Sequence, residues 1–123
     1  MIKVLLVDDQ QILAEGIKSV LETSGDLSVV GIASDGARAI EKCAETKPDV
    51  VLMDIRMPVM NGYDTTKAIR ELDREDKNLP IIAMTADAFS GDVQKCLDYG
   101  MNAHIQKPLD IKECIRVLRK YLE

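Results

Sequence analysis

The sequence has a single histidine, His104, and only three cysteines, Cys43, Cys96 and Cys114. A zinc site needs imidazole and thiolate ligands at set spacings, so one is not expected here. The cysteines are odd in number, far apart and without a C-x-x-C pair, so they read as packing residues of a reduced, cytoplasmic chain. Long apolar runs are missing as well. No window approaches the roughly 20 apolar residues of a membrane span. The apolar start MIKVLLV is too short for a signal peptide and runs into two aspartates. Positive charge is in deficit: 16 Lys and Arg stand against 21 Asp and Glu, a net charge of −5. A phosphate backbone wants a basic patch, which argues against broad nucleic-acid binding by this segment. Repeats, linkers and low-complexity tracts are absent too. The 123 residues predict one domain, 1–123, that buries about two thirds of its unfolded surface without a disulfide or metal.

What is present is an alternation of short apolar runs with helix-period segments. Lys3–Val7 reads as a strand buried on both faces, followed by a helix over Gln11–Ser24 with Leu13, Ile17, Val20 and Leu21 on its apolar stripe. Val29–Ala33 is a second strand. Asp35 caps a helix with the stripe Ala37, Ile40, Cys43 and Ala44, which Pro48 ends. Val50–Met53 is strand three, and a helix over about Tyr63–Asp73 carries Ala68, Ile69 and Leu72. Ile81–Met84 is strand four. A weaker helix over about Asp92–Tyr99 has only Val93, Cys96 and Leu97 to bury, with Gly100 as its C-cap. Ala103–Gln106 is strand five. Asp110 and Glu113 form a capping-box variant ahead of a last helix carrying Ile111, Ile115, Leu118 and Leu122. Five strands alternating with five helices predict an α/β fold, a parallel sheet covered on both faces and doubly wound by right-handed crossovers. Such sheets bind ligands beyond the carboxyl ends of their strands.

The residues that end the strands therefore carry the interest. Strand one ends on Asp8-Asp9, strand three on Asp54, strand four on Thr85 and strand five on Lys107-Pro108. Strand two ends on a turn, Ser34-Asp35-Gly36. Each signal alone has a bland reading. An Asp pair is more often a cap, a Thr a β-former leaving the sheet, and a Lys-Pro a surface turn. Together they place three carboxylates, a hydroxyl and an ammonium on one sheet edge. Ionised carboxylates ~4 Å apart repel by about 4 kcal/mol per pair at an effective dielectric of ~20. Relief comes from a proton or from a cation. An all-oxygen ligand set selects Mg²⁺ or a similar ion. A divalent cation, an ammonium and a hydroxyl also stabilise a phosphoryl group in transfer, with Asp54 as its nucleophilic acceptor.

The stretches LLVDD (5–9), VLMDIRMPVMNG (51–62), IIAMTA (81–86) and GMNAHIQKPL (100–109) resemble those of a response-regulator receiver domain of two-component signalling, over nearly the whole chain. The N-terminal half is similar to receivers fused to helix-turn-helix output domains, and the C-terminal half to receivers of hybrid histidine kinases. The resemblance implies a flavodoxin-like sheet of order 2-1-3-4-5. It implies Asp54 as phosphoacceptor, with Mg²⁺ held by Asp9 directly, Asp8 through water, Asp54, and the main-chain carbonyl of Arg56. It also implies Thr85 as the hydroxyl switch residue and Lys107 as the partner of the phosphoryl group. His104 stands where the family often has an aromatic ring. Arg56 and Asp87 each lie two residues beyond a site residue, where they would tune the lifetime of the acyl phosphate. The implied partner is a histidine kinase or phosphotransfer protein. The implied output face is helix four, strand five and the last helix, which would also serve a homodimer. The expected role is a switch rather than an enzyme, without membrane or direct nucleic-acid contact.

Two other readings compete. A phosphorylation-independent interaction module would not require Asp54, Asp9 and Lys107 together. A phosphohydrolase with an aspartate nucleophile would want a second Asp at position 56 as general acid, where Arg56 stands.

Overall fold

The computed structural model describes residues 2–55, 61–71, 79–85, 92–106 and 110–120, with the backbone alone at 92, 93, 96 and 111. Its elements run β1 (Ile2–Val7), α1 (Gln11–Glu22), β2 (Leu27–Ala33), α2 (Gly36–Thr46), β3 (Val50–Asp54), α3 (Gly62–Arg70), β4 (Ile81–Thr85), α4 (Asp92–Asp98), β5 (Ala103–Gln106) and α5 (Ile111–Lys120). The strands form one sheet in the order β2-β1-β3-β4-β5. All four neighbouring pairs are parallel, as expected of continuous apolar runs joined through helices.

Strand side chains alternate between two apolar clusters, following the two-residue period of a strand. Leu5, Val7, Val51, Met53, Ile81 and Ala83 pack with Ala39 and Cys43 of α2 and with Tyr63 and Ile69 of α3. Val4, Leu6, Val50, Leu52, Ile82 and Met84 pack with Ala14, Ile17 and Leu21 of α1 and with Cys114, Val117 and Leu118 of α5. Each large side chain buried this way contributes roughly 1.5–3 kcal/mol. Burial also pushes the Cys114 thiol up to about 11, so it stays protonated at neutral pH and serves as packing, as its sequence context suggests.

Caps explain where the helices begin. Asp35 accepts from the Arg38 N–H at 2.8 Å, and Asn61 from the Asp64 N–H at 2.9 Å. Asp110 accepts from Lys112 N–H at 3.0 Å and Glu113 N–H at 3.3 Å. The reciprocal half of the expected capping box does not form, because the Glu113 carboxylate is held by Arg116 at 2.6 and 3.0 Å. Gly100 takes the left-handed conformation (φ +96°) expected of a C-cap.

Several helix faces differ from those read off the periodicity. In α1 the buried set is Ala14, Ile17 and Leu21, and Leu13 and Val20 are exposed. In α2 it is Gly36, Ala39 and Cys43, and Ala37 and Ala44 face solvent. In α3, Thr65 and Thr66 are buried beside Ile69. Their hydroxyls donate to the carbonyls of Asn61 at 2.9 Å and Gly62 at 2.8 Å, which removes the cost of burying them. In α4, Leu97 is half exposed rather than buried.

Candidate functional site

Strand register lines up the residues identified in the sequence. Val7 lies opposite Met53, so Asp8 follows β1 where Asp54 closes β3. Asp54 in turn lies opposite Met84, one residue before Thr85. Asp8 is fully buried and Asp54 is 5% exposed, while Asp9 meets solvent. One Asp8 carboxylate oxygen accepts from the Gln10 N–H at 2.9 Å, turning the chain from β1 into α1. Carboxylate oxygens from Asp8, Asp9 and Asp54 all lie within 4.8 Å of one another. At that separation two ionised carboxylates repel by about 3 kcal/mol at an effective dielectric of ~20, less where Asp9 is wet. A hard divalent cation bound by oxygen removes that repulsion, and the donor set fits Mg²⁺ or a similar ion.

Thr85 closes β4 with 1% of its surface exposed. Its hydroxyl is buried and, among the described residues, has no hydrogen-bond partner. An unsatisfied buried hydroxyl costs about 1–3 kcal/mol, a cost that an acceptor oxygen brought to it would remove. A phosphoryl oxygen is a suitable acceptor.

A further residue of the site, Gly62, carried no signal in the sequence reading beyond its place in the stretch 51–62. It opens α3, and its N–H donates to the Ile55 carbonyl at 2.8 Å. A Cβ placed there would lie 2.7 Å from the Asp54 carbonyl oxygen and 2.7 Å from Ile55 Cα. Both are backbone atoms of the segment that presents Asp54, so only glycine lets α3 close against the end of β3.

Of the other candidates, His104 is exposed on β5, opposite Ala83. Lys107, Arg56 and Asp87 lie outside the described residues.

The order β2-β1-β3-β4-β5 reverses between β1 and β3, and the three carboxylates stand at that point. This defines a doubly wound α/β protein with a cation-competent acidic site at its topological switch point. Residues 4–119 match the response regulator receiver domain family, and the chain belongs to it. It is 35% identical over 119 residues to the response regulator protein VraR of Staphylococcus saprophyticus, covering 97% of this chain and 56% of that protein. It is 34% identical over 118 residues to the transcriptional regulatory protein LnrK of Bacillus subtilis, covering 96% and 52%. The chain thus spans about half the length of the curated relatives it matches. Among solved structures, the receiver domain of the sensor histidine kinase PA1611 from Pseudomonas aeruginosa superposes with a TM-score of 0.86 at 35% identity, covering 98% of this chain and 96% of that one. That structure has a magnesium ion coordinated in its active-site cleft. A LuxR-family two-component response regulator from Aurantimonas superposes at 0.89 with 29% identity, covering 98% and 84%.

Proposed function

We propose that this receiver domain is a phosphorylation-activated switch whose acceptor is Asp54. The observation that carries the reading is the convergence of Asp8, Asp9 and Asp54 within 4.8 Å at the switch point of the sheet. Asp8, Asp9 and Asp54, with the main-chain carbonyl of Arg56, would hold Mg²⁺. When bound, the ion supplies positive charge against the phosphoryl oxygens. An Asp54 carboxylate oxygen bonds to phosphorus as the bond to the donor's leaving group breaks, and that electron pair departs with the donor. The donor is a histidine kinase or phosphotransfer protein. The Thr85 hydroxyl donates to a phosphoryl oxygen, gaining the partner it lacks among the described residues. The Lys107 ammonium pairs with another oxygen, and Arg56 and Asp87 hinder the attacking water. The domain, residues 1–123, signals without turning over an external substrate.

The output face is α4, β5 and α5, including His104, and a second copy is one partner for it. Leu97 of α4 is half exposed, and a helix that can shift on this face suits a two-state role. The proposed setting is the cytoplasm; no described helix is long and apolar enough to cross a membrane. The test is phosphoryl uptake from acetyl phosphate, followed by intact-protein mass spectrometry with and without Mg²⁺. Wild type gains one Mg²⁺-dependent adduct, and Asp9→Ala gains none. Normal uptake by Asp9→Ala would remove the cation role.

A further inference from the structure

Arg70, the last residue of α3, reaches across to Leu79, Gly100 and Asn102 among the described residues. Its Nε and Nη2 donate to the Gly100 carbonyl at 3.0 and 2.7 Å, in the turn between α4 and β5. Nη1 donates to the Leu79 carbonyl at 2.7 Å, just ahead of β4. Nη2 also donates to the Asn102 side-chain oxygen at 2.8 Å, ahead of β5. Asn102 continues the network. Its side-chain oxygen accepts from the Ile81 N–H at 2.9 Å, and its own N–H donates to the Ile81 carbonyl at 2.9 Å. The first residue of β4 is thereby tied to the approach to β5. The guanidinium is half buried, and desolvation lowers its pKa from the ordinary arginine value. It stays charged near neutral pH, so these are charge-assisted bonds to carbonyls in a partly dry setting.

A second set of contacts holds the same end of α4. The Tyr99 ring stands 5.2 Å from that of Tyr63, the second residue of α3, and Lys95 Nζ lies 4.7 Å over the Tyr63 ring. The carboxyl end of α4 is therefore bound to α3 at both ends of that helix, although Leu97 between them is exposed. The opposite end of β4 carries Thr85, whose hydroxyl is buried without a partner among the described residues. The end of β4 that presents Thr85 thus belongs to a block whose other end is clamped at Leu79, Ile81, Gly100 and Asn102.

We infer that Arg70 is a positioning residue that restrains this block and thereby slows phosphoryl uptake at Asp54. The inference rests on the reading of Asp54 as acceptor and Thr85 as the responding hydroxyl. The clamp stabilises the arrangement in which the Thr85 hydroxyl is unengaged. By linkage, an interaction present in one arrangement and strained in the other biases the equilibrium between them.

A merely structural arginine and a restraining one differ in the sign of one measurement. Arg70→Met keeps the aliphatic stem and removes every donor. It should lower the thermal midpoint and yet take up phosphoryl from acetyl phosphate three- to tenfold faster than wild type. Arg70→Lys retains the charge but not the planar fork, so its uptake rate should lie between the two. Hydrogen exchange at the Asn102 amide, which donates to Ile81, should speed up at least tenfold in Arg70→Met before any phosphoryl donor is added. A variant that is less stable and equally fast or slower, with wild type modified at Asp54, would overturn the restraining role alone. A wild type that takes no phosphoryl group at Asp54 would overturn this role and the proposed function together.

Discussion

Replacing Gly62 with alanine tests whether the opening of α3 positions Asp54. The added Cβ would stand 2.7 Å from the Asp54 carbonyl oxygen and from Ile55 Cα. Carbon atoms pack best at about 3.5–4.0 Å, so the two backbones must separate by about 1 Å. Neither obstacle is a side chain able to rotate away. Overpacking of this kind costs about 1–3 kcal/mol, and loosening the 2.8 Å bond from Gly62 N–H to the Ile55 carbonyl adds about 1 kcal/mol. Better helix propensity returns at most about 1 kcal/mol. The net expectation is a loss of about 1–3 kcal/mol, within what a domain of this size survives. A displacement of about 1 Å at a reacting group costs on the order of 100-fold in rate. Urea denaturation and acetyl phosphate uptake measure the two effects separately. Gly16→Ala is the control, because nothing lies within 4 Å of a Cβ at that exposed helical position. It should stabilise by about 0.5–1 kcal/mol and leave uptake unchanged. A Gly62→Ala protein as stable and as fast as wild type would refute the positioning argument.

Thr85→Val keeps the shape of the side chain and removes the unsatisfied hydroxyl, so without a phosphoryl donor it should be neutral or stabilising by up to about 1 kcal/mol in a thermal melt. With a donor, its phosphoryl-dependent change in hydrogen exchange across β5 should shrink, and a clear destabilisation would show that the hydroxyl is bonded after all. Asp26 is held down to about 2 by hydrogen bonds from Arg119 and Ser24. A lowered carboxyl contributes stability above its unfolded value near 3.9, and that contribution is lost as pH falls through about 2. In an NMR titration Asp26 should therefore titrate near 2 in wild type and return toward the ordinary carboxylate range in Arg119→Met.

Strands β1, β3 and β4, and the acids that follow β1 and close β3, were legible in the sequence because a strand buried on both faces is a continuous apolar run. A charged residue closing such a run stands out, as Asp8 and Asp54 do. Helix faces were less legible. Ala37 and Ala44 are small enough to lie on either side of α2, and the period alone did not separate them from Ala39. Leu13, Val20 and Leu97 are apolar yet exposed, whereas Thr65 and Thr66 are polar yet buried because the helix carbonyls of Asn61 and Gly62 satisfy them. Gly62 and Arg70 were not legible at all in their roles. The role of Gly62 depends on a backbone approach that exists only once α3 has packed. The partners of Arg70 at Gly100 and Asn102 lie 30 and 32 residues away in sequence, beyond the reach of any local pattern.

The carboxylate closing β3 is proposed here as the reactive group. The most direct measurement is borohydride reduction of the protein after exposure to acetyl phosphate and Mg²⁺, followed by peptide mass spectrometry. An acyl phosphate is reduced to the corresponding alcohol, whereas a free carboxylate, a phosphoserine or a phosphothreonine is not. Homoserine is expected at position 54 and nowhere else, with no conversion in Asp54→Ala. Reduction mapping to Asp8, Asp9 or another acid, with Asp54 intact, would contradict it.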